Sequence, residues 1–522
     1  MSFPSSGLAA GMACLALLLS SCGGGGDDSD PPARVQQAVA QLDTLVPQYL
    51  ARTGVPGVAV SVVYRGQTLY ARGFGVRKLG ESALVDEDTV FQLASVSKSV
   101  GSTVMAGHMP GSAAGGKIDW DTPIQQVLPY FQLAYPDPSL NLQLTLGDLY
   151  AHRSGLHDHA GDRLEDLGYS RDEILHRLRW ASVGNRGDYA YTNFGLTAAA
   201  QGMAQAVGTD WATLSEQTLY RPLGMTHTSS RYADFAARDN RAWGHVQIDV
   251  DYDSYGAQPA HYQVQNPPRQ PDAQSPAGGV SSSVSDMALW MQLVLDKGRW
   301  HGQDLISPTA LQAALTARPG GKYGYGFNVG TDPHGHPTVS HSGAFLLGAG
   351  TAFILWPEEG LGITVLTNAQ PRGLAEAIAL AFGEQALGDA PSGAPSRDWL
   401  DFTQNSDAMH GLYKPEGKFA GQTPPASPVP PKPLVNYTGS YTNTYYGKAS
   451  VSLNGDGSAL ELTLGPMQTK YALRHWDGDT FIFDLQGENA PRGSVSAVTF
   501  QPQAMQIEYY GGDVTHGLFT RL

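Results

Sequence analysis

The chain has 522 residues, a length typical of about two to four domains. Hydrophobic residues make up 41% of it and charged residues 16%, which is enough apolar material for a sizeable core and argues against a disordered chain. The 33 Lys and Arg residues stand against 48 Asp and Glu residues, for a net charge of −15. Such an acidic balance argues against nucleic-acid partners, which need basic surfaces.

The N-terminus has the composition of an export signal. Residues 1–21 carry no charged side chain, and the apolar run at 12–19 has secretory-signal length but is too short to span a membrane comfortably. A Leu-Ser-Ser-Cys sequence ending at Cys22 follows, which resembles the bacterial lipoprotein signal, in which the cysteine becomes the lipidated first residue. We therefore predict a signal peptide at 1–21, lipidation of Cys22 and a flexible tether at 22–34.

This resemblance has one departure, because lipoprotein signals begin with Lys or Arg and this segment contains neither. An ordinary cleaved signal and a misplaced start codon are the two alternatives. Lipidation implies an exported protein that is anchored in the bacterial cell envelope. After cleavage Cys22 is the only cysteine, so we expect no disulfide.

Residues 35–390 alternate helical patterns with short β-branched runs. Two pairs of runs, near opposite ends of this region, each flank a turn and predict a β-hairpin. The paired runs are 58–64 with 68–73 and 351–356 with 361–367. Helices are predicted between them, among others at 196–207 and 284–295. This order predicts an α+β domain, with one antiparallel sheet built from both ends and a helical subdomain.

The composition changes after residue 390. Residues 391–433 include a proline-dense run at 422–433 that cannot hold a helix or a central strand, so we predict a semi-rigid linker. Residues 434–522 contain alternating runs rich in Tyr, Val, Thr and Phe, split by turn sequences at 454–457 and 477–479. This pattern predicts a small antiparallel β-barrel-like domain.

Ser95 and Lys98 form the first candidate catalytic motif. A Ser at a helix start with a Lys three residues later places hydroxyl and amine on one face, a turn apart. Ser is a weak nucleophile that needs a base, and a Lys in a dry pocket can lose its proton near neutral pH. Any surface helix can carry such a pair, but Lys98 is the only lysine with a Ser three residues before it.

Two further triplets follow in the chain, Tyr-x-Asn at 191–193 and His-x-Gly at 341–343. Each is weak alone, since Tyr-x-Asn recurs at 441–443 and His-x-Gly at 159–161. In this order and spacing after the Ser-x-x-Lys motif, they resemble the pattern of the serine β-lactamase and penicillin-binding-protein superfamily, in its class C-like branch. That branch includes esterases, D-amino-acid-specific peptidases and β-lactamases.

Additional segments resemble the same branch, and they lie at 149–156, 221–228, 277–282 and 365–368. The resemblance covers roughly residues 35–385 and implies a β-lactamase/transpeptidase-like fold. Residues 434–522 are similar to a lipocalin-like β domain that is often appended to such hydrolases, on the strength of the Tyr-Thr-Gly-Ser-Tyr sequence at 437–441.

The resemblance implies catalytic roles for four residues. Ser95 is the implied acylated nucleophile, Lys98 its proton partner, and Tyr191 the general base that passes the proton to the leaving group. A phenol is neutral at pH 7, so a low pKa for Tyr191 needs a cationic neighbour such as Lys98. Asn193 is implied to hold Lys98 and the substrate. No metal or cofactor is required.

The third motif bears on the substrate. His341, Ser342 and Gly343 are implied to bind it, and the backbone N–H groups of Ser95 and Ala344 to form the oxyanion hole. Many β-lactamases have Lys where this chain has His341, which is mostly neutral at pH 7 and offers no permanent cation for a carboxylate. We therefore predict a serine hydrolase acting on an ester, a peptide (including a D-amino-acyl one) or a related cell-wall substrate. A β-lactamase or penicillin-binding D,D-peptidase is the alternative.

Other functional classes stay open beside this one. A metallohydrolase is the first, because His-x-His is a spacing typical of metal ligands. The crowded candidates are His152, His157, Asp158, His159 and Asp162. His334 and His336 repeat that spacing in a turn, and no cysteine is available as a ligand. A non-catalytic binding or sensing lipoprotein is the second class. An α/β-hydrolase is disfavoured because no Gly-x-Ser-x-Gly sequence is present.

The pocket walls, the oligomeric state and the role of the β domain stay open. Aromatic residues are candidates for the pocket rim, although aromatics are more often core. These candidates are Trp120, Tyr130, Tyr189, Tyr323, Tyr325 and Phe345.

Overall fold

The computed structural model describes residues 30–248, 259–390, 395–485 and 487–522. The predicted signal peptide, Cys22 and most of the predicted tether lie outside these ranges, and the first helix begins within the tether's last residues, at Ala33. In the part of the chain that the structure describes, no helix combines the length and apolar character needed to cross a membrane.

The regular elements of the described residues alternate along the chain, as the sequence pattern predicts. The helices are α1 (Ala33–Thr53), α2 (Ser97–Gly107), α3 (Ile124–Val127), α4 (Ser139–Gln143), α5 (Leu146–Tyr150), α6 (Asp162–Asp166), α7 (Arg171–Arg177), α8 (Asn193–Val207), α9 (Trp211–Ser215), α10 (Arg221–Leu223), α11 (Tyr232–Ala236), α12 (Ser275–Gly278), α13 (Val284–Leu295), α14 (Pro308–Ala314), α15 (Leu374–Leu387), α16 (Trp399–Gln404) and α17 (Asp407–Gly411). The strands are β1 (Gly57–Tyr64), β2 (Gln67–Gly75), β3 (Phe91–Gln92), β4 (His245–Gln247), β5 (Tyr262–Val264), β6 (Ser281–Ser282), β7 (Arg299–Trp300), β8 (Gln303–Asp304), β9 (Asn328–Thr331), β10 (Pro337–Phe345), β11 (Ala349–Trp356), β12 (Leu361–Thr367), β13 (Gly439–Asn443), β14 (Gly447–Leu453), β15 (Leu460–Leu464), β16 (Thr469–Asp477), β17 (Thr480–Asp484), β18 (Val495–Gln501), β19 (Ala504–Ile507) and β20 (Leu518–Arg521).

The central sheet is antiparallel, with six described strands in the order β2-β1-β12-β11-β10-β9. Strand β1 pairs with β12 from far along the chain, and Val60 lies opposite Val365. This pairing confirms the α+β prediction of one sheet built from both ends. The predicted β1–β2 hairpin turns at Arg65 and Gly66, whose φ values of 43° and 80° suit a two-residue turn that follows the strand twist.

Both faces of the sheet are covered, which explains why every residue of β1 is buried. Val58, Val60 and Val62 pack in one apolar cluster with α1 and α15. Ala59 and Val63 belong to the other, larger cluster, which includes α13 and the helical subdomain. Successive side chains of a strand point to opposite faces, so a continuous apolar run is needed where both faces are buried.

Helix α2 is buried along its whole length within the helical subdomain. Several of its polar side chains are hydrogen-bonded, because an unpaired polar group in a core is costly. Ser97 Oγ accepts from the backbone N–H of Val280 at 3.0 Å, and Ser99 Oγ donates to the Gly326 carbonyl at 2.6 Å. These two bonds fix the helix that carries Lys98 against two separate loops.

The segment predicted as a linker is more ordered than the sequence pattern indicates. Helices α16 and α17 lie inside it, and Trp399 is fully buried against α15. The indole Nε1 of Trp399 donates to Glu384 Oε2 at 2.7 Å. The prediction of a linker over all of 391–433 is therefore corrected: a buried aromatic anchors helix α16 within it, whereas the proline-dense run 422–433 holds neither helix nor strand, as predicted.

The C-terminal strands form a closed antiparallel barrel in the order β13 to β20, in which β13 pairs with β20. This confirms the predicted β-barrel-like domain. The barrel packs on the helical subdomain through the turn between β13 and β14. Arg177 donates to the carbonyls of Thr444 and Tyr445 at 3.0 and 2.8 Å, and the Tyr169 hydroxyl donates to the Tyr446 carbonyl at 2.8 Å.

Candidate active site

Ser95 lies in the middle of a single 3-10 turn, Ala94–Val96, which leads into α2. The sequence pattern places this Ser on the helix itself, whereas α2 begins two residues later, at Ser97. Ala94 is buried and has a φ of 46°, a left-handed conformation that costs energy for an alanine. Ser95 is partly exposed between two buried neighbours, so the turn presents the hydroxyl at the surface of the core.

Lys98 is fully buried and uses its ammonium group in three hydrogen bonds. Its Nζ donates to Ser95 Oγ at 2.9 Å, to Asn193 Oδ1 at 2.7 Å and to the Ala277 carbonyl at 3.0 Å. Burial lowers the pKa of Lys98 to about 7, while the charge of Asp162 acts in the opposite direction. A substantial fraction of Lys98 is therefore neutral near pH 7, as the sequence argument requires of a proton acceptor.

Tyr191 brings the second polar group to Ser95. It lies just before α8, and its hydroxyl donates to Ser95 Oγ at 2.7 Å. Lys98 Nζ lies 4.6 Å from the centre of the Tyr191 ring. The general-base role predicted for Tyr191 needs a lowered pKa, but burial raises the pKa of Tyr191, so the phenol keeps its proton at neutral pH.

Asn193, the first residue of α8, connects Lys98 to a buried carboxylate. Its Oδ1 accepts from Lys98, and its Nδ2 donates to Asp162 Oδ2 at 2.9 Å. The same Asp162 oxygen lies 2.8 Å from His159 Nδ1, and this hydrogen bond raises the pKa of His159. Asp162 therefore orients Asn193 by accepting from its amide nitrogen, and the charge of Asp162 also acts on Lys98.

Four of the residues considered as metal ligands, His152, Asp158, His159 and Asp162, hydrogen-bond to the segment around Tyr191 and Asn193 or to one another. His152 is completely buried beside the Tyr191 ring, with 4.5 Å between ring centres, and its Nδ1 accepts from the Thr192 N–H at 3.1 Å. Burial lowers the pKa of His152, which keeps the ring neutral. Within the described ranges, no three His, Cys, Asp or Glu side chains are arranged to hold a metal ion.

Strand β10 supplies the third motif, but its side chains point to opposite faces of the sheet. His341 is buried on the site's side, where its Nε2 lies 2.9 Å from the Tyr323 hydroxyl. Burial, with a contribution from the charge of Lys98, lowers the pKa of His341 to about 3. Ser342 is on the other face, where its hydroxyl interacts with Glu376 of α15, so the predicted role of its side chain in substrate binding is not supported by its position.

Gly343 lets β10 approach the Ser95 turn closely. A Cβ built at this position would lie 2.4 Å from the Leu93 carbonyl oxygen and 3.0 Å from the Ser95 nitrogen. Ala344 is the next residue of the strand, and Phe345 packs with Ala94 in a small apolar cluster. The two backbone segments predicted to form the oxyanion hole are therefore neighbours, although the hole itself stays a prediction.

The predicted rim aromatics separate into two groups. Tyr323 and Tyr189 lie near the site, with ring centres 5.0 and 5.8 Å from that of His152, and Tyr189 is half exposed at its edge. Trp120 stacks on Tyr325 at 4.4 Å within the subdomain core. The others also lie away from the rim, since Tyr130 stacks on His176 and Phe345 is buried behind Ser95.

Two protein-family models match this chain. The beta-lactamase family model matches residues 42–386, more than half of the chain. The chain belongs to the beta-lactamase family. A second model, described as a domain of unknown function (DUF3471), matches residues 423–509, which include most of the barrel of this beta-lactamase-family protein.

Individual relatives of this beta-lactamase-family chain are distant. Unguisins hydrolase ungD of Aspergillus violaceofuscus is 24% identical over 469 residues, covering 82% of this chain and 79% of its own. Protein flp of Staphylococcus aureus is 22% identical, and the match covers 63% of this chain and 62% of its own length. The family match and the related hydrolase identify an enzyme of the serine hydrolase superfamily, with a hydrolase or acyltransferase type of activity.

Solved structures share the two-part fold. The octameric penicillin-binding protein homologue from Pyrococcus abyssi is similar with a TM-score of 0.56 and 17% identity, covering 92% of this chain and 100% of its own. SurE is similar with a TM-score of 0.52 and 20% identity, covering 94% and 99%. Both cover the barrel as well as the beta-lactamase-like part.

The sequence does not predict three contacts of this site. Its pattern makes Asp162 a candidate metal ligand and Tyr323 a candidate rim aromatic, and the Ala277 carbonyl is a backbone group that no side chain signals. The only indication of Ala277 in the sequence is that the segment 277–282 resembles the family. Each of these contacts joins residues that are distant in sequence, so only the fold reveals it.

Proposed function

We propose that this protein is a serine hydrolase that forms an acyl-enzyme on Ser95 with an ester or peptide substrate, including D-amino-acyl peptides. One observation carries the proposal: Lys98 Nζ and the Tyr191 hydroxyl both lie within hydrogen-bond distance of Ser95 Oγ, at 2.9 and 2.7 Å. A nucleophile with two proton-transfer groups in direct contact is the arrangement that acyl transfer requires.

Lys98 is the better proton acceptor of the two in the resting site. Its pKa of about 7 leaves a neutral amine available, whereas the pKa of Tyr191 is raised by burial. In acylation, Ser95 Oγ bonds to the substrate carbonyl carbon while its proton moves to Lys98. The Tyr191 hydroxyl then donates a proton to the leaving oxygen or nitrogen as that bond breaks, and Lys98 returns a proton to the phenolate.

Deacylation reverses these steps with water in place of the leaving group. Water loses a proton to the same pair of residues and attacks the acyl carbon. As the bond to Ser95 Oγ breaks, that pair returns a proton to Oγ and the free serine hydroxyl is restored. The backbone N–H groups of Ser95 and Ala344 are the proposed donors to the oxyanion in both steps. The closeness of β10 to the Ser95 turn at Gly343 supports this assignment.

The preference for esters and peptides over β-lactams rests on His341. The imidazole is buried and neutral, because its pKa is lowered to about 3, so it offers a carboxylate no charge. The relative named as an unguisins hydrolase supports hydrolysis in general. A β-lactamase or D,D-peptidase is the second candidate, favoured by the family match. Turnover of nitrocefin far above that of short acyl esters and D-amino-acyl peptides would reverse this ranking.

Labelling with a fluorophosphonate probe, followed by intact-mass and peptide mass spectrometry, tests the proposal. We expect one adduct per chain, located on Ser95, and no adduct in Ser95→Ala. A wild-type protein that forms no adduct and hydrolyses no ester or peptide would contradict it and favour a binding or sensing role.

We also propose that the protein is exported and anchored through a lipid on Cys22, as the N-terminal sequence indicates. Metabolic labelling with an alkyne fatty acid in a bacterial host tests this. The wild type should incorporate the label and Cys22→Ser should not, whereas equal labelling of the two would contradict the proposal.

A further inference from the structure

The β-barrel reaches the candidate active site through the segment that joins β17 to β18. We propose that Glu488 and Asn489 of this segment are positioning residues, which hold the two walls of the site on either side of Ser95. The inference rests on the proposed function, since it assigns these residues a part in the reaction at Ser95.

Glu488 binds the turn between β10 and β11. Its Oε1 accepts from the backbone N–H of Leu346 at 2.9 Å, and its Oε2 accepts from that of Leu347 at 3.1 Å. The Glu488 side chain is almost completely buried, and Arg269 Nε lies 3.7 Å from Oε2. Glu488 therefore holds two consecutive amides of the turn in a water-poor environment. Burial raises the pKa of Glu488 to about 8, whereas Arg269 and the two N–H donors act in the opposite direction and favour the carboxylate.

This turn is continuous with the strand that borders Ser95. Phe345, the residue before Leu346, packs with Ala94 and Ala349 in one buried cluster. Ala94 is the strained residue that precedes Ser95. A shift of the turn therefore moves Phe345, and with it both the Ser95 turn and the adjacent Ala344 amide.

Arg269 extends the same contact to α6, the helix that carries Asp162. Its guanidinium lies over the Phe345 ring, 5.1 Å from the ring centre, and it donates to Glu165 Oε2 of α6 at 2.6 Å. Arg269 and both of its carboxylate partners are buried. Glu488 thus completes a buried polar cluster around Arg269 that spans the barrel, the β10–β11 turn and α6.

Asn489 contacts the opposite wall. Its Nδ2 donates to Asp166 Oδ2 at 3.0 Å and to the Asp162 carbonyl at 3.3 Å. Asp162 is the residue that orients Asn193 against Lys98. Two adjacent barrel residues therefore contact the oxyanion side of the site and the lysine side at once.

Steady-state kinetics of full-length Glu488→Gln, with p-nitrophenyl butyrate as substrate, test the inference. The amide keeps the size of the side chain but can accept only one of the two N–H groups. We expect kcat to fall about tenfold or more with KM changed less than about twofold, because a displaced oxyanion donor affects the transition state more than substrate binding. The rate of fluorophosphonate labelling should fall in parallel.

The matched control is Glu461→Gln on β15, whose carboxylate pairs with Lys470 on the barrel surface at 2.8 Å. It should keep wild-type kinetics. Thermal unfolding of each variant verifies the fold, and if Glu488→Gln does not fold, Asn489→Ala decides, with a kcat loss expected in the same direction.

Two results would contradict these proposals, and they can be told apart. If the wild type is labelled at Ser95 and folded Glu488→Gln has the kcat of Glu461→Gln, this inference is overturned while the proposed function stands. If the wild type is neither labelled nor active, the proposed function fails and this inference falls with it.

Discussion

At Ser95 two neighbours are candidates for the proton acceptor, and burial affects them in opposite directions. Desolvation disfavours the charged form of each, so it lowers the pKa of the Lys98 amine and raises that of the Tyr191 phenol. Near pH 7 the site therefore has a neutral phenol beside a lysine of which a substantial fraction is the neutral amine. That pair can accept a proton at Lys98 and donate one from Tyr191 without separating charge in the resting state.

The pH dependence of kcat/KM tests whether Lys98 is the proton acceptor. A protonated amine cannot accept the Ser95 proton, so activity should rise as pH increases through about 7 and be lost below it. His341, with a pKa lowered to about 3, cannot produce such a limb. His159 has a raised pKa, so His159→Gln is the matched control and should keep the limb. A limb that disappears in His159→Gln would contradict the assignment.

Replacing Asp162 should move the same limb. The negative charge of Asp162 favours the charged form of Lys98 and so raises its pKa. In Asp162→Asn that effect is lost, and the acid limb of kcat/KM should shift to lower pH. The plateau activity should also fall, because Asn193 loses its charged acceptor. An unchanged limb, or one that moves to higher pH, would show that Asp162 does not act on Lys98.

Removing only the hydroxyl of Tyr191 tests its role in proton transfer. Tyr191→Phe keeps the ring beside Lys98 and deletes the hydroxyl that contacts Ser95 Oγ, so kcat should fall about 10²- to 10⁴-fold with little change in thermal unfolding. Tyr189→Phe is the control, since Tyr189 is half exposed and should stay within about threefold of wild type. Equal activity of the two variants would exclude the proton-transfer role.

At the scale of elements, the predicted helix and strand ranges are accurate where one repeating pattern of apolar residues determines the element. Helix α13 and both sheet hairpins match the predicted ranges closely, because an apolar pattern with a clear turn or a capping Ser283 marks their limits. Helix α8 begins three residues earlier than predicted, at Asn193, where side-chain bonds to Lys98 and Asp162 hold its first turn. The 3-10 turn at Ser95 depends on tertiary packing around Ala94, which no local pattern reports.

Helix α16 forms in a segment whose composition predicts a linker, because one of its residues contacts a helix that is distant in sequence. Trp399 is buried against α15 and bonded to Glu384, so Trp399→Ala should lower the free energy of unfolding by about 3–5 kcal/mol. Phe402→Ala on the same helix removes a half-exposed ring and should cost less than about 1.5 kcal/mol. Urea denaturation of both variants checks this, and equal losses would contradict the anchoring role.

At the scale of the whole molecule, both the hydrolase fold and the barrel were predictable, but their contact was not. Composition and alternation suffice to separate the two parts. The contact depends on single polar residues, such as Glu488 in a barrel turn and Arg177 at the end of α7, whose partners lie in distant parts of the chain. The family resemblance likewise predicted Ser95, Lys98 and Tyr191, whereas the orientation of Ser342 away from them required the strand's register.

The most direct test of the account is to trap the acyl-enzyme during turnover of an ester substrate and map it by peptide mass spectrometry. The account predicts a mass increase equal to the acyl group on the peptide that contains Ser95, formed and lost at rates consistent with kcat and absent in Ser95→Ala. An acyl group on any other residue, or full turnover by Ser95→Ala, would contradict it.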